Sequence, residues 1–277
     1  MPNEFQIKRP SFIIFTDKDG TLNLEDKKLD NILKLIISMN GLVIPVTGRT
    51  VGDILESLKK NHLKIPEILV GDNGANIYST SRQQFLIKKT LDNQKVKTLI
   101  DDFMATGGKQ ENIRLTDGSL IYAIDTPDVR KYYEKSKSVK YCKDIREALE
   151  NMPEITKITL AGTQEQMQQM STYSQKMDFW SDIGATKFPN ADYKHYRLDI
   201  ADKNINKGEA VKLISTILKP PHGYICIGNG ENDISMFKQS IDNGMMIGIM
   251  EDSPVAIKTE MKAYADSKHK RQSYYYP

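Results

Sequence analysis

Short, mostly apolar runs, the first two breaking into a polar turn and then a helix-spaced segment, limit this chain more than any other feature. The first is Phe12-Ile13-Ile14-Phe15, the second spans Leu42 to Val46, and the third runs from Glu67 to Val70. None alternates polar with apolar, so each suits a strand covered on both faces. Between the first two, Leu29, Ile32, Leu33, Leu35, Ile36 and Ile37 recur at helical spacing and Gly41 ends the helix; Val51 to Lys60 predicts the next helix. Such β-α-β units build parallel sheets. From about Arg82 the rhythm changes. A helix with Val96, Leu99, Ile100, Phe103 and Met104 on one face leads to Asn112–Asp125, where Thr116-Asp117-Gly118-Ser119 reads as a hairpin turn. A helical stretch ending near Met152, a strand over Ile155–Ala161, a helix over Gln164–Lys176 and strands near Phe179–Phe188 and Tyr193–Ile200 follow. At Asn206 the first rhythm returns, with helix Lys207–Leu218, strand Tyr224–Ile227, helix Asn232–Gln239 and strand Met245–Ile249. The pattern predicts one discontinuous α/β core, residues 1–81 and 195–277, interrupted by an inserted α+β cap over residues 82–194.

Composition narrows the function classes. A chain of 277 residues with 39% hydrophobic and 27% charged side chains is ordinary globular usage. The formal charge is +3, from 39 basic against 36 acidic residues, which lacks the concentrated basic face of a nucleic-acid binder and makes a small anion the better partner. No stretch approaches the roughly 18 apolar residues of a membrane span, and Met1 to Pro10 lacks a signal-peptide core, so the expected location is cytoplasmic. Cys142 and Cys226 lie far apart and in no metal-ligand spacing; both read as reduced packing residues. Quaternary structure is left open between a monomer and a small homo-oligomer.

Open parallel sheets place their ligand sites beyond the carboxyl ends of the strands, so polar residues there are the ones to collect. Strand one ends in Asp17-Lys18-Asp19-Gly20-Thr21-Leu22 and strand two in Thr47-Gly48-Arg49. After the insertion stands Asn206-Lys207-Gly208, and a later strand ends in Gly228-Asn229-Gly230-Glu231-Asn232-Asp233. Carboxylates, a lysine, a hydroxyl and glycines that let backbone N–H groups approach an anion are the inventory phosphoryl transfer needs. A carboxylate facing a phosphate dianion requires a cation between them, which Mg²⁺ bound by oxygen donors supplies. The expected metal ligands are Asp17, Asp19, Asn229 and Asp233. Asp17 is the expected nucleophile and Asp19, two residues on, the acid/base. Thr47 bonds a phosphate oxygen and Lys207 neutralises charge. Gly20, Gly48, Arg49 and Asn232 are placed at the substrate, with Arg49 left open between the substrate and the cap. A carboxylate after a strand is often only a turn or cap residue; the pairing of Asp17 with Asp19 and the three further turns override that reading.

With these residues in view, the chain resembles the haloacid dehalogenase (HAD) superfamily, and within it the Cof-type sugar phosphatases of subfamily IIB. DKDGTL matches the first motif, VTGR the second, NKG the third and GNGEND the fourth, and the insertion lies between the second and third. The resemblance implies a Rossmann-like parallel-sheet core with a C2B-type cap, whose hinge motion encloses a small phosphorylated substrate. It also implies that Gly71-Asp72-Asn73-Gly74-Ala75 is a substrate-side loop in which Asn73 and Gly74 contact the ligand. Three positions depart from the pattern. Asn229 stands where an aspartate is usual, Lys18 where an apolar residue is usual, and Met250-Glu251-Asp252 where an Asn-Ala pair commonly follows the last core strand.

Other features carry less. His62, His195, His222 and His269 are scattered, and Gly107-Gly108-Lys109 lacks the first glycine and the hydroxyl of a P-loop. Trp180 reads as a packing residue before a stacking surface for a sugar ring. Residues 82–194 hold 18 Lys+Arg and 16 Asp+Glu, a net of +2, which suits a sugar phosphate better than a polyanion. Two alternatives stay open: a phosphomutase of the phosphomannomutase type, and a ligand-binding or regulatory relative with weakened catalysis, the reading that Asn229 supports.

Overall fold

The structure is a computed structural model that describes residues 9–22, 27–186 and 195–268. In chain order it contains β1 (Phe12–Thr16), α1 (Lys27–Ser38), β2 (Gly41–Pro45), α2 (Val51–Lys60), β3 (Ile68–Gly71), β4 (Asn76–Ser79) and β5 (Gln84–Lys88). Next come α3 (Asn93–Ala105), β6 (Ile113–Thr116), β7 (Ile121–Ile124), α4 (Pro127–Tyr132), β8 (Val139–Cys142) and α5 (Ile145–Glu150). These are followed by β9 (Lys157–Gly162), α6 (Gln164–Lys176), β10 (Phe179–Thr186) and β11 (His195–Asp202). The chain closes with α7 (Lys207–Leu218), β12 (Tyr224–Gly228), α8 (Ile234–Asp242), β13 (Met246–Ile249) and α9 (Val255–Lys268). Two compact units result. Unit 1 comprises Met1–Arg49, Ser57–Ile87 and Asn206–Pro277, and unit 2 comprises Thr50–Glu56 and Lys88–Ile205.

Unit 1 is built on a parallel sheet of order β13-β12-β1-β2. A parallel bridge between Val46 and Val70 carries the same direction on to β3, which opens a small β3-β4-β5 sheet. The uninterrupted apolar runs explain why these strands lie inside. Ile13, Phe15, Ile44 and Val46 form one core with Val211 and Ile214 of α7, Met236 and Phe237 of α8, and Met261 of α9. Phe15 meets Tyr224 edge-on, with ring centroids 5.6 Å apart. Each such side chain, fully buried, stabilises the fold by about 1.5–3 kcal/mol. Helix α7 starts where it does because the Asn206 side chain accepts the Glu209 N–H at 2.9 Å, a cap that fixes the first turn.

Unit 2 has a six-stranded sheet of order β10-β11-β9-β6-β7-β8, antiparallel except for the β7–β8 pair. Here the strands do alternate. Ile113, Leu115, Ile158, Leu160, Leu198 and Ile200 pack with Leu99, Ile100 and Phe103 of α3 and with Met167 and Met170 of α6. The turn expected at Thr116–Ser119 joins β6 to β7, and Asp117 accepts the N–H groups of Ser119 and Leu120, both at 2.8 Å.

The unit boundaries differ from those read in the sequence. Strand β5 belongs with β3 and β4, so the first part of the core runs to Ile87 rather than residue 81. Strand β11 pairs with β9 and β10, so the insertion runs to Ile205 rather than residue 194. The start of α2 falls with unit 2, where Ser136 donates to Asp53 at 3.0 Å and the Lys137 N–H to Glu56 at 2.7 Å. The outer parts of the strands expected to reach Phe188 and to begin at Tyr193 lie outside the described residues, as does His269. Among the described residues no helix is long and apolar enough to cross a membrane. Phe237, fully buried at the α8–sheet interface, gives a direct test: Phe237→Ala should cost about 3–5 kcal/mol in urea unfolding, a loss under 1 kcal/mol being inconsistent with this core.

Candidate active site

The site is assembled at the carboxyl end of the parallel sheet of unit 1. Asp17 follows β1 directly, and its N–H donates to the Ile227 carbonyl at 2.8 Å, which holds the tip of β1 against the end of β12. Asp233 closes a 3-10 turn after β12. Its Oδ2 accepts the N–H groups of Asn229 (2.8 Å) and Gly230 (2.9 Å). Lys207, the first residue of α7, donates from Nζ to Asp17 Oδ1 at 2.5 Å and to Asp233 Oδ1 at 2.6 Å. All three are buried, Lys207 and Asp233 with no exposed side-chain surface.

Two carboxylates and one ammonium in a dry place perturb one another. Burial pushes Asp17 up to about 6 from 3.8; the Lys207 charge opposes the rise and the Asp233 charge adds to it. Burial would lower Lys207, but the Asp233 and Asp17 charges outweigh it and hold the ammonium above its ordinary range. The cluster therefore keeps Lys207 charged and leaves Asp17 close to its ionisation point.

A second group lies beside it. Arg49 grips Asp19 with a fork: Nε donates to Oδ2 at 2.8 Å and Nη2 to Oδ1 at 2.7 Å. Lys18, only 9% exposed, approaches the same carboxylate at 3.6 Å. Burial would raise Asp19, yet the hydrogen bonds and charge of Arg49, with the charges of Lys18 and Lys207, hold its carboxyl below the ordinary range. The buried Thr47 accepts the Arg49 N–H at 3.3 Å, and the Asn73 N–H donates to the Thr47 carbonyl at 2.9 Å. Asp72 and Asn73 both take positive φ, 48° and 56°, in the turn after β3. Strain of that kind persists where the surroundings fix it. Here they do: the Asp72 N–H donates to the Arg49 carbonyl at 2.8 Å, and Asn232 Nδ2 donates to Asn73 Oδ1 at 3.3 Å.

The glycines mark close approaches. A Cβ on Gly20 (φ 80°) would lie 2.1 Å from Asn229 Nδ2, and one on Gly74 (φ 109°) 2.6 Å from the Asn206 carbonyl oxygen. Gly48 faces the Asn73 side chain, 3.1 Å from a Cβ position to Oδ1. Asp17, Lys207, Asp233 and Asn229 are thus linked to one another, as are Asp19 and Arg49, and Thr47, Asn73 and Asn232. Sequence reasoning missed three features. Lys18 is a buried partner of Asp19. Asp72 orients Asn76 by accepting from its amide at 2.8 Å. Ser235 anchors the start of α7 by accepting the Gly208 N–H at 3.1 Å. The sequence placed Asp72 in the substrate-side loop but gave no sign of its partner, and for Ser235 it gave no signal.

Of the residues expected at a metal, Asp17 and Asp233 both accept from Lys207, Asp233 also accepts the Asn229 and Gly230 N–H groups, and the Asp19 carboxylate is paired with Arg49. Among the described residues no three His, Cys, Asp or Glu side chains are grouped to hold a metal. Asp17 Oδ2, Asp233 Oδ1 with its second lone pair and the Asn229 carboxamide oxygen are hard donors that fit Mg²⁺ retaining several of its waters.

For stability the sign is fixed by the direction of each shift. Asp17, raised from 3.8, stabilises the fold fully below pH 3.8 and ceases to do so as pH rises through about 6. Above that pH two buried carboxylates depend on Lys207. Lys207→Ala should cost about 3–5 kcal/mol in urea unfolding near pH 8. The loss should shrink as pH falls through about 6; a pH-independent loss would contradict the charge pairing.

Comparison with known proteins agrees with this arrangement. The family model of haloacid dehalogenase-like hydrolases matches residues 14–271, which include all four turns. A haloacid dehalogenase-like hydrolase from B. subtilis superposes with a TM-score of 0.69 at 17% identity, over 94% of this chain and 99% of its own. One from Bacteroides thetaiotaomicron gives 0.67 at 17%, over 94% and 100%. The subclass IIB sugar phosphatase BT4131 gives 0.67 at 18%, over 92% and 91%. At these identities the superpositions speak for the fold alone. No curated protein sequence matches the chain. On the breadth of the family match, and with Asp17, Thr47, Lys207 and Asp233 at the ends of its strands and helix, the chain belongs to the haloacid dehalogenase-like hydrolases.

Proposed function

We propose that the protein is a phosphatase that hydrolyses a small phosphate monoester, a sugar phosphate or related metabolite, through a covalent aspartyl-phosphate on Asp17. The observation that carries this is the buried Asp17–Lys207–Asp233 cluster, which holds a carboxylate at a strand tip with one ammonium to balance incoming phosphate charge. In the first step a carboxylate oxygen of Asp17 bonds to phosphorus, the bond to the leaving oxygen breaks, and Asp19 supplies that oxygen with a proton, which it takes up when the bound phosphate dianion offsets the Arg49, Lys18 and Lys207 charges that otherwise keep it ionised. In the second, water bonds to phosphorus, Asp19 takes its proton, and the bond to Asp17 breaks to release inorganic phosphate. Lys207 offsets charge throughout, and the Thr47 hydroxyl and the N–H groups around Gly20 bond the phosphate oxygens. Mg²⁺, when bound by Asp17, Asp233 and Asn229, supplies positive charge between nucleophile and phosphate. The inserted unit, from its place between the second and third motifs, is assigned the reading of the leaving group.

Two outcomes test this reading. Asp17→Asn should lower phosphate release from the best of a panel of sugar phosphates by about 10⁴-fold or more; undiminished release would refute the nucleophile, and no turnover of any ester by the native enzyme would favour the ligand-binding alternative. Ionised Asp17 is lost as pH falls through about 6, so the acid limb of kcat/KM should lie near that value at limiting Mg²⁺ and move lower at saturating Mg²⁺, because cation and proton compete for one carboxylate.

A further inference from the structure

Arg49 stands in the second motif, where a guanidinium would ordinarily be read as a grip on the phosphate. Its geometry says otherwise. The Nε and Nη2 edge, the face that matches a phosphate or a carboxylate, is already spent on both oxygens of Asp19 at 2.7–3.1 Å. A phosphate could take it only by breaking a two-point pair. The backbone of Arg49 is fixed as well, since its N–H is bound by Thr47 Oγ1 and its carbonyl by the Asp72 N–H. Asp19 needs such a holder. Its side chain is 51% exposed against 7% for Asp17, and a short, half-wet carboxylate samples several rotamers unless something pins it. Lys18 touches one oxygen at 3.6 Å, a single point about which the carboxyl can still rotate. The Arg49 fork engages both oxygens and fixes the plane.

We propose that Arg49 is a positioning residue that acts through Asp19, setting the direction of the carboxyl that passes protons to the leaving group and from water. The inference rests on the phosphatase reading above. If Arg49 works this way, its loss is felt in proportion to how much the leaving oxygen needs a proton. A misplacement of about 1 Å in a reacting group can cost 10²-fold.

The experiment compares the native enzyme, Arg49→Gln, Arg49→Lys, Asp19→Asn and the Arg49→Gln/Asp19→Asn double variant on two esters. One is the best sugar phosphate, whose alkoxide needs a proton; the other is p-nitrophenyl phosphate, whose nitrophenolate leaves without one. The quantity is kcat/KM, which reports steps up to the first bond cleavage. Arg49→Gln should lose at least about tenfold more with the sugar phosphate than with the aryl ester, as Asp19→Asn should. The double variant should be no worse than Asp19→Asn alone, and Arg49→Lys should recover part of the loss. Both esters are assayed on one preparation, so partial unfolding lowers them equally and cannot create the split. Equal losses on the two esters, or additive losses in the double variant, would overturn the proposal and return Arg49 to the phosphate. Absence of turnover by the native enzyme on both esters would instead remove the phosphatase reading, and this inference with it.

Discussion

One buried ammonium held between two buried carboxylates is the interaction on which the rest depends. Lys207 sits at the first position of α7, where a helix dipole disfavours a cation. It stays there because Asp17 and Asp233 both accept from it, and neither of them could stand in that dry place without it. Removing one partner of such a set leaves an uncompensated charge, which is why buried pairs tie structure together even when their net contribution is small. Local preference is broken at this point, and chains tend to break it where function needs a charge.

The fold brings these groups together by direction rather than by proximity in sequence. Four parallel strands share one carboxyl end, so the residues that follow β1, β2 and β12 emerge on the same side, and the cap of α7 by Asn206 turns Lys207 toward them. Lys207 and Asp17 are 190 residues apart in the chain yet bonded. An insertion as long as unit 2 can interrupt the core because β11 leads directly into α7, and the interrupted sheet needs only its own strands to close.

Much of this was legible in the residues. The uninterrupted runs at β1, β2, β3 and β12 announced strands covered on both faces, and the four polar turns announced the cluster of polar residues at the carboxyl end of the sheet. The parts that escaped are those with weak burial or side-chain detail. Strand β5 is only half buried and signals little, so its membership in the β3–β4 sheet, and with it the unit boundary, did not show. Helix α9 buries only Ile257, Met261 and Ala265, too sparse a stripe for periodicity to single out. Which oxygen of Asp19 and Asp233 meets Arg49, Lys207 or a backbone N–H is settled by rotamers and turn geometry that composition does not encode. The same holds for Lys18, buried against the habit of its residue type.

The central claim is that the carboxylate held by Lys207 becomes phosphorylated. The most direct measurement is mass-spectrometric mapping of the enzyme after rapid acid quench during turnover, with hydroxylamine to trap an acyl phosphate. The account predicts a hydroxylamine-labile phosphoryl group, trapped as a hydroxamate at Asp17 and nowhere else. Steady turnover with no enzyme-bound phosphate, or a label on any other side chain, would contradict it.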